Sequence, residues 1–168
     1  DALVLGGGDN LTLTGYADAS YGSDPDTMRS ISGSVFYLGN GCISWASRTQ
    51  KTVSLSPTEA EYVAASEATR QAMFLRKLLK EMDMEQTEPT VIFEDNTGVE
   101  AMVRNPVHAS RTKHIEIKHA YVRERVAERS VEFKRVATED QIADIMTKPL
   151  SAEQHKKLAA KLLRGLNA

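Results

Sequence analysis

Four carboxylates in this chain stand where carboxylates gain little. Asp18, in "GYADASYGSD", falls in a β-type stretch that puts Leu11, Leu13, Gly15 and Ala17 on one face and Tyr16, Asp18 and Ser20 on the other. Aspartate is depleted in strands because it does not profit from a pleated, half-buried surface. Asp95, in "VIFEDNTG", closes a second apolar run on the face of Val91 and Phe93. Glu61 is in line with Ala64, Ala68, Ala72, Leu75 and Leu79, so it heads the core-facing stripe of a helix, where an unpaired carboxylate is costly. Asp144, in "EDQIADIMTKPL", sits about one turn into a helix expected after the last strand. Singly, each aspartate has a plainer role: a strand-end turn former, a cap for a helix at Thr97, a surface acid. Together they would converge at strand ends, where α/β sheets build their sites. Clustered carboxylates repel unless they are protonated or neutralised by cations. An all-oxygen donor set suits Mg2+ or Mn2+. Two such ions about 4 Å apart would clamp the attacking and leaving oxygens of a phosphodiester.

The elements that must position these acids can be read from pattern. Strands are expected at Leu11–Ser20, Ile31–Leu38 and Cys42–Arg48, with "LGNG" at Leu38–Gly41 as a hairpin turn. A long helix opens at "SPTE". Ser56 is its N-cap, Pro57 takes the first helical position, and Glu59 completes a capping box. Glu59 thus has a structural task, which leaves Glu61 as the functional candidate. A fourth strand is expected at Thr90–Glu94, a short helix at Thr97–Arg104, a basic helix at Lys113–Arg129 and a last strand at Val131–Val136. A further helix would start from a second capping box, Thr138 with Gln141, and stop at Pro149. A final amphipathic helix would run from Ser151 to Gly165. The order β-β-β-α-β-α-α-β-α predicts an α/β domain with a mixed sheet.

Length and composition agree with that class. The 168 residues, 41% hydrophobic and 26% charged, suffice for one domain with a core. No apolar run approaches the roughly 20 residues of a membrane span, so no membrane partner is expected. A single cysteine, Cys42, excludes an internal disulfide and fits a reducing compartment. The motifs of a P-loop, a G-x-S-x-G hydrolase and a dinucleotide-binding fold are all missing. Residues 1–10, with "GGGDN", read as a flexible junction within a longer polypeptide. Charge is unevenly spread: net −2 overall, but nine Lys/Arg against four Glu between Arg104 and Arg135. Such a run is either a solvated helix face or a phosphate-binding one.

The blocks "GYADASYGSD", "SISGSVFYLGNGCISWASRTQKTVSLSPTEAEYVA", "EDNTG", "RTKHIEIKHAYVRE" and "QIADIMTKPL" resemble the ribonuclease H domain of copia-type retrotransposon polyproteins. The similarity spans about Leu11 to Leu150. It implies a ribonuclease H-like fold, a five-stranded mixed sheet flanked by helices over residues 11–150, with residues 151–168 as a C-terminal amphipathic helix. It also implies hydrolysis of the RNA strand of RNA–DNA hybrids by two Mg2+ ions, with Mn2+ as a substitute. Asp18, Glu61, Asp95 and Asp144 would be the catalytic metal ligands. The partners implied are the hybrid and a reverse transcriptase domain of the same polyprotein, the isolated domain being a monomer. The setting implied is cytoplasmic, in a virus-like particle, or nuclear. Ser20, Asn96, Lys113, His114, Lys118, Arg123 and Arg125 are the candidate nucleic-acid contacts. A silent connection domain that only binds nucleic acid is the alternative, and the four intact acids speak against it. One departure stands out. Many cellular ribonucleases H carry a histidine in the loop before the last catalytic helix, whereas here only Ala137 separates Val136 from Thr138.

Overall fold

The computed structural model describes Leu3, residues 11–96 and residues 113–166, the last with side chains from Glu116 onward. The expected junction at 1–10, the short helix at Thr97–Arg104 and the side chains of Lys113 and His114 lie outside the described residues.

Three antiparallel strands come first: β1 (Leu13–Ser20), β2 (Ile31–Leu38) and β3 (Gly41–Thr49). The two-residue hairpin between β2 and β3 needs a positive φ at its first position, and Gly39 supplies it at φ 59°. α1 (Pro57–Glu81) then crosses the sheet to β4 (Thr90–Glu94), which pairs parallel with β1. α2 (Lys113–Ala127) leads to β5 (Val131–Arg135), parallel to β4. The resulting five-stranded sheet has the order β3-β2-β1-β4-β5. Two 3-10 turns, Thr138–Asp140 and Ile142–Met146, follow β5, and α3 (Ala152–Arg164) ends the described chain.

The alanine-rich stripe of α1 decides which sheet face it covers. Ala65, Ala68, Ala72, Leu75 and Leu79 pack with Leu13, Ala17, Phe36, Ile92, Val131 and Phe133, and Val122 of α2 joins them. Small side chains let the helix lie close to the strands. On the other face Tyr16, Val35, Tyr37 and Cys42 pack with Ile142 and Ala143 of the second 3-10 turn. Tyr16 stacks on Phe93 at 5.1 Å, and the Tyr37 hydroxyl donates to the Lys161 carbonyl of α3 at 3.2 Å.

Helix ends explain the boundaries. The Ser56 hydroxyl accepts the Glu59 N–H, and the Glu59 carboxylate accepts the Leu55 N–H at 2.9 Å, so the capping box forms one residue further back than its usual reach. α1 and α2 both close with a left-handed residue, Asp83 at φ 59° and Arg129 at φ 58°. Met84 N–H reaches the Leu79 carbonyl, and Ser130 N–H that of Arg125. These are Schellman closures, and the second stops α2 two residues before the expected Arg129. The α1–β4 connection is clamped at its far end. The Arg76 guanidinium donates to the Gln86 and Glu88 carbonyls and to Thr90 Oγ1, while the Gln86 side chain bonds the backbone of Leu11 and Leu13.

The helix expected from Thr138 is replaced by the two 3-10 turns. Ala137, with no side-chain oxygen, stands at the cap position, and Thr138 is already inside the first turn. Gln141 does not reach back to a cap. Its Oε1 accepts the Ala143 N–H, while its Nε2 donates to the Ala17 carbonyl at 2.9 Å and the Phe93 carbonyl at 3.5 Å, tying the turn to β1 and β4. The second turn also approaches β2 backbone at Gly33. A Cβ there would lie 2.5 Å from Thr147 Cγ2 and 3.0 Å from the Ala143 carbonyl oxygen. Gly33→Ala should therefore push the turn off the sheet and cost roughly 1–3 kcal/mol, read as a lower urea midpoint; a midpoint equal to that of the native protein would show that the turn gives way freely.

Candidate active site

The site forms where β1 and β4, running parallel, end side by side. Tyr16 pairs with Phe93, and the same register two residues on sets Asp18 beside Asp95. Asp18 is 1% exposed. Its Oδ2 accepts the Thr147 hydroxyl, and Lys148 Nζ lies 3.6 Å from its Oδ1. The first turns of α1 bring Glu61 over the end of β1, where its Oε2 accepts the Ala19 N–H at 2.9 Å. Asp18, Glu61 and Asp95 each offer an oxygen, all within 4.8 Å of one another. Asp144, buried on the second 3-10 turn, approaches from the opposite face. Its Oδ1 makes an ion pair with Lys148 at 2.9 Å.

Crowding sets the protonation. Burial, then the charges of Asp18 and Asp95, push the Glu61 carboxyl up to about 8. Burial is also the main cause that raises Asp144 to about 6, against the pull of Lys148. Asp18 is raised by burial and by Asp95, opposed by Thr147 and Lys148. Burial works against the charge of Lys148, but Asp18 and Asp144 outweigh it and hold the ammonium protonated. This is the electrostatic signature of a site that lacks positive charge. Oxygen-only donors, like-charged and converging, fit a hard divalent cation.

Sequence reasoning missed four residues here. Thr147 and Lys148 orient and neutralise Asp18 and Asp144, and Gly33 makes room for them. The readable signal was the i, i+4 spacing of Asp144 and Lys148. The fourth is Glu94, next to Asp95 but turned to the other side of β4. It is buried, neither of its carboxylate oxygens has a hydrogen-bond partner among the described residues, and burial followed by Glu61 raises its pKa well above the ordinary carboxylate value. Only its place opposite Phe93 on the strand hinted at this.

The candidate nucleic-acid contacts divide. Ser20 and Asn96 are half-buried at the ends of β1 and β4, beside the acids. Lys118 is half-buried on α2, and burial lowers its pKa while Glu67 and Glu59 of α1 support its charge. Arg123, also half-buried, neighbours Tyr62 and His119. The His119 ring stacks on Tyr62 at 3.8 Å, fixing α2 against α1. Arg125 is committed elsewhere: it bonds Glu124 at 2.6 Å and Glu128 at 2.7 Å and lies over the Tyr121 ring.

Sheet order, the crossing α1 and the acids at the ends of β1 and β4 define a ribonuclease H fold. RNase H1 from Halobacterium salinarum NRC-1 superposes with a TM-score of 0.57 at 16% identity, over 81% of this chain and 94% of that one. LC11-RNase H1, solved in complex with an RNA/DNA hybrid, gives 0.53 at 18% identity, over 81% and 94%. No family model matches the chain. In sequence the chain belongs with the retrovirus-related Pol polyproteins of plant transposons. It is 38% identical over 160 residues to that from transposon RE1 of Arabidopsis thaliana, and 36% identical over 148 residues to that from transposon TNT 1-94 of Nicotiana tabacum. These alignments cover 95% and 88% of this chain but only 11% of each polyprotein. No described helix is long and apolar enough to cross a membrane.

The raised carboxyls fix a pH dependence. A carboxyl whose folded pKa exceeds its unfolded one binds its proton more tightly when folded. Its stabilising effect is complete below the unfolded value and is lost as pH rises through the folded value. With Glu61 near 8 and Asp144 near 6, EDTA-treated protein should unfold at progressively lower urea as pH rises from about 5 to about 8. A midpoint that is flat or rising over that window would refute the protonated site.

Proposed function

We propose that this domain is an endoribonuclease that hydrolyses the RNA strand of RNA–DNA hybrids, in a copia-type polyprotein whose reverse transcriptase makes those hybrids. The observation that carries this is the convergence of Asp18, Glu61 and Asp95 within 4.8 Å, with Asp144 on the facing turn. The hybrid complex of LC11-RNase H1 and the Pol polyprotein relatives support the choice of substrate. When bound, two divalent ions, Mg2+ or Mn2+, would lower the pKa of the attacking water and stabilise the leaving oxygen. Asp18, Glu61, Asp95 and Asp144 would hold them.

The chain's own residues do the rest. Water attacks the phosphorus as the bond to the 3′ oxygen breaks. That oxygen takes up a proton, leaving 3′-hydroxyl and 5′-phosphate ends. Thr147 donates to Asp18 Oδ2 and Lys148 lies against Oδ1, so the two fix the orientation of the Asp18 carboxylate beside Glu61 and Asp95. Glu61 is anchored by the Ala19 N–H, in place for a metal or a ribose 2′-hydroxyl. Ser20 and Asn96 border the acids and suit hydrogen bonds to the sugar-phosphate chain. Lys118 and Arg123, with Lys113 and His114 at the start of α2, would track the DNA strand. Between Val136 and Thr138 there is no counterpart of the loop histidine that many cellular ribonucleases H carry, and slow product release would then limit turnover. The domain acts as a monomeric unit within a cytoplasmic particle or in the nucleus.

Cleavage of a labelled RNA–DNA hybrid in Mg2+ tests this reading. Asp18→Asn and Asp95→Asn should abolish cleavage while the fold persists. Glu61→Gln should lose most of it, whereas Glu59→Gln, which alters the helix cap and lies outside the acid cluster, should keep it. Native turnover in either aspartate variant would overturn the assignment of these acids, and no cleavage by the native domain would favour a domain that only binds. For the basic face, neutralising Lys118 and Arg123 should reduce the slope of log K against log salt by about 0.7–0.9 per lost phosphate contact. An unaltered slope would make that face a solvated one.

A further inference from the structure

The four acids do not form one open cluster. Asp18, Glu61 and Asp95 gather within 4.8 Å, and Asp144 is not among them. Between Asp18 and Asp144 stands the Lys148 ammonium, 3.6 Å from one carboxylate and 2.9 Å from the other. The same carboxylate of Asp18 therefore faces two cation-sized positions, and the chain fills one of them itself. We infer that Lys148 is a built-in cation that holds the position between Asp18 and Asp144, so that the resting chain offers one divalent-ion position and opens a second only when Lys148 leaves. This rests on the metal-dependent reading above.

Local structure supports both halves of that statement. Lys148 lies one helical turn beyond Asp144, and its neighbour Thr147 donates to Asp18, so the backbone aims the side chain between the two acids. Neither Asp18 nor Asp144 reaches water freely, and no other described cation pairs with them. Two buried carboxylates without a counter-charge would be strongly destabilising. Yet the Lys148 side chain is 33% exposed. A four-carbon stem with one end open to solvent can swing away without disturbing the sheet. Lys148 is thus a positioning residue: it acts through the acids, as a counter-ion that keeps the turn docked until a stronger cation replaces it.

Titration of metal-stripped protein with Mn2+, followed by the electron paramagnetic resonance of the free ion, reads this directly. The native chain should bind one ion readily and a second only weakly. Lys148→Met should bind the second about tenfold more tightly. Lys148→Arg, which keeps the charge, should behave as the native protein. In EDTA, Lys148→Met should melt below the native chain, and Mn2+ should close the gap. A merely structural lysine would leave the stoichiometry and affinity unaltered, or weaken them, and either result overturns the inference. If Lys148→Met does not fold in EDTA, recovery of its native circular dichroism on adding Mn2+ supports the inference, and failure to recover overturns it. No Mn2+ binding by any of the three proteins would overturn the metal reading itself and this inference with it. Equal binding by all three would overturn this inference alone.

Discussion

Like charge packed at the ends of two neighbouring parallel strands is the constraint around which this domain is built. Parallel pairing of β1 and β4 leaves Asp18 and Asp95 side by side, and α1 adds Glu61 across the same opening. Repulsion and lost hydration both work against such an arrangement. The surrounding structure supplies what offsets them. The Ala19 amide takes one oxygen of Glu61, Thr147 takes one of Asp18, and Lys148 lies between Asp18 and Asp144. The rest of the fold keeps those donors in reach. Gly33 lets the second 3-10 turn come down on β2, and Gln141 ties that turn to the carbonyls of β1 and β4.

The two faces of the sheet divide the labour. The α1 side is a continuous apolar layer in which alanines bring helix and strands close together. The other side is thinner, and a short turned segment covers the strand ends without closing the site. Asp144 rides on that segment, which is held by side-chain hydrogen bonds and by Ile142, Ala143 and Met146 packed against Tyr16, Val35 and Tyr37, with Leu162 of α3 beside them. One wall of the site is therefore set mainly by packing, and the other by a smaller apolar cluster together with hydrogen bonds and charge. Both walls carry titrating acids, Glu61 on the first and Asp144 on the second.

Much of this was legible from residue pattern. α1 declared itself through Ser56, Pro57 and Glu59 and through an alanine stripe at helical spacing, and the same stripe singled out Glu61. The strands were found within two residues because β propensity and turn residues agree there. What misled was the segment after β5. Thr138 and Gln141 carry the spacing of a capping box, but Gln141 bonds strand carbonyls distant in sequence, and spacing alone cannot reveal a partner 124 residues away. Lys148 was passed over for a similar reason: beside "MTKPL" it looks like a surface residue until Asp18 is seen opposite. In the basic run, charge counting could not foresee that Arg125 is spoken for by Glu124 and Glu128 while Lys118 lies half-buried against α1.

Glu94 and Asp95 place consecutive carboxyl groups on opposite sides of β4. A one-residue slip of that strand would exchange them, turning Glu94 outward and burying Asp95. The slipped chain would have the same composition and almost the same secondary structure, and it would still present an acid at the opening, one methylene longer. Such an isomer would be hard to detect by any bulk spectroscopic criterion, yet its reach would be wrong for chemistry. What excludes it lies at the opposite end of the strand, where Arg76 and Gln86 fix the incoming chain. These two residues, remote from the acid cluster, act as the registration marks of the strand that carries it.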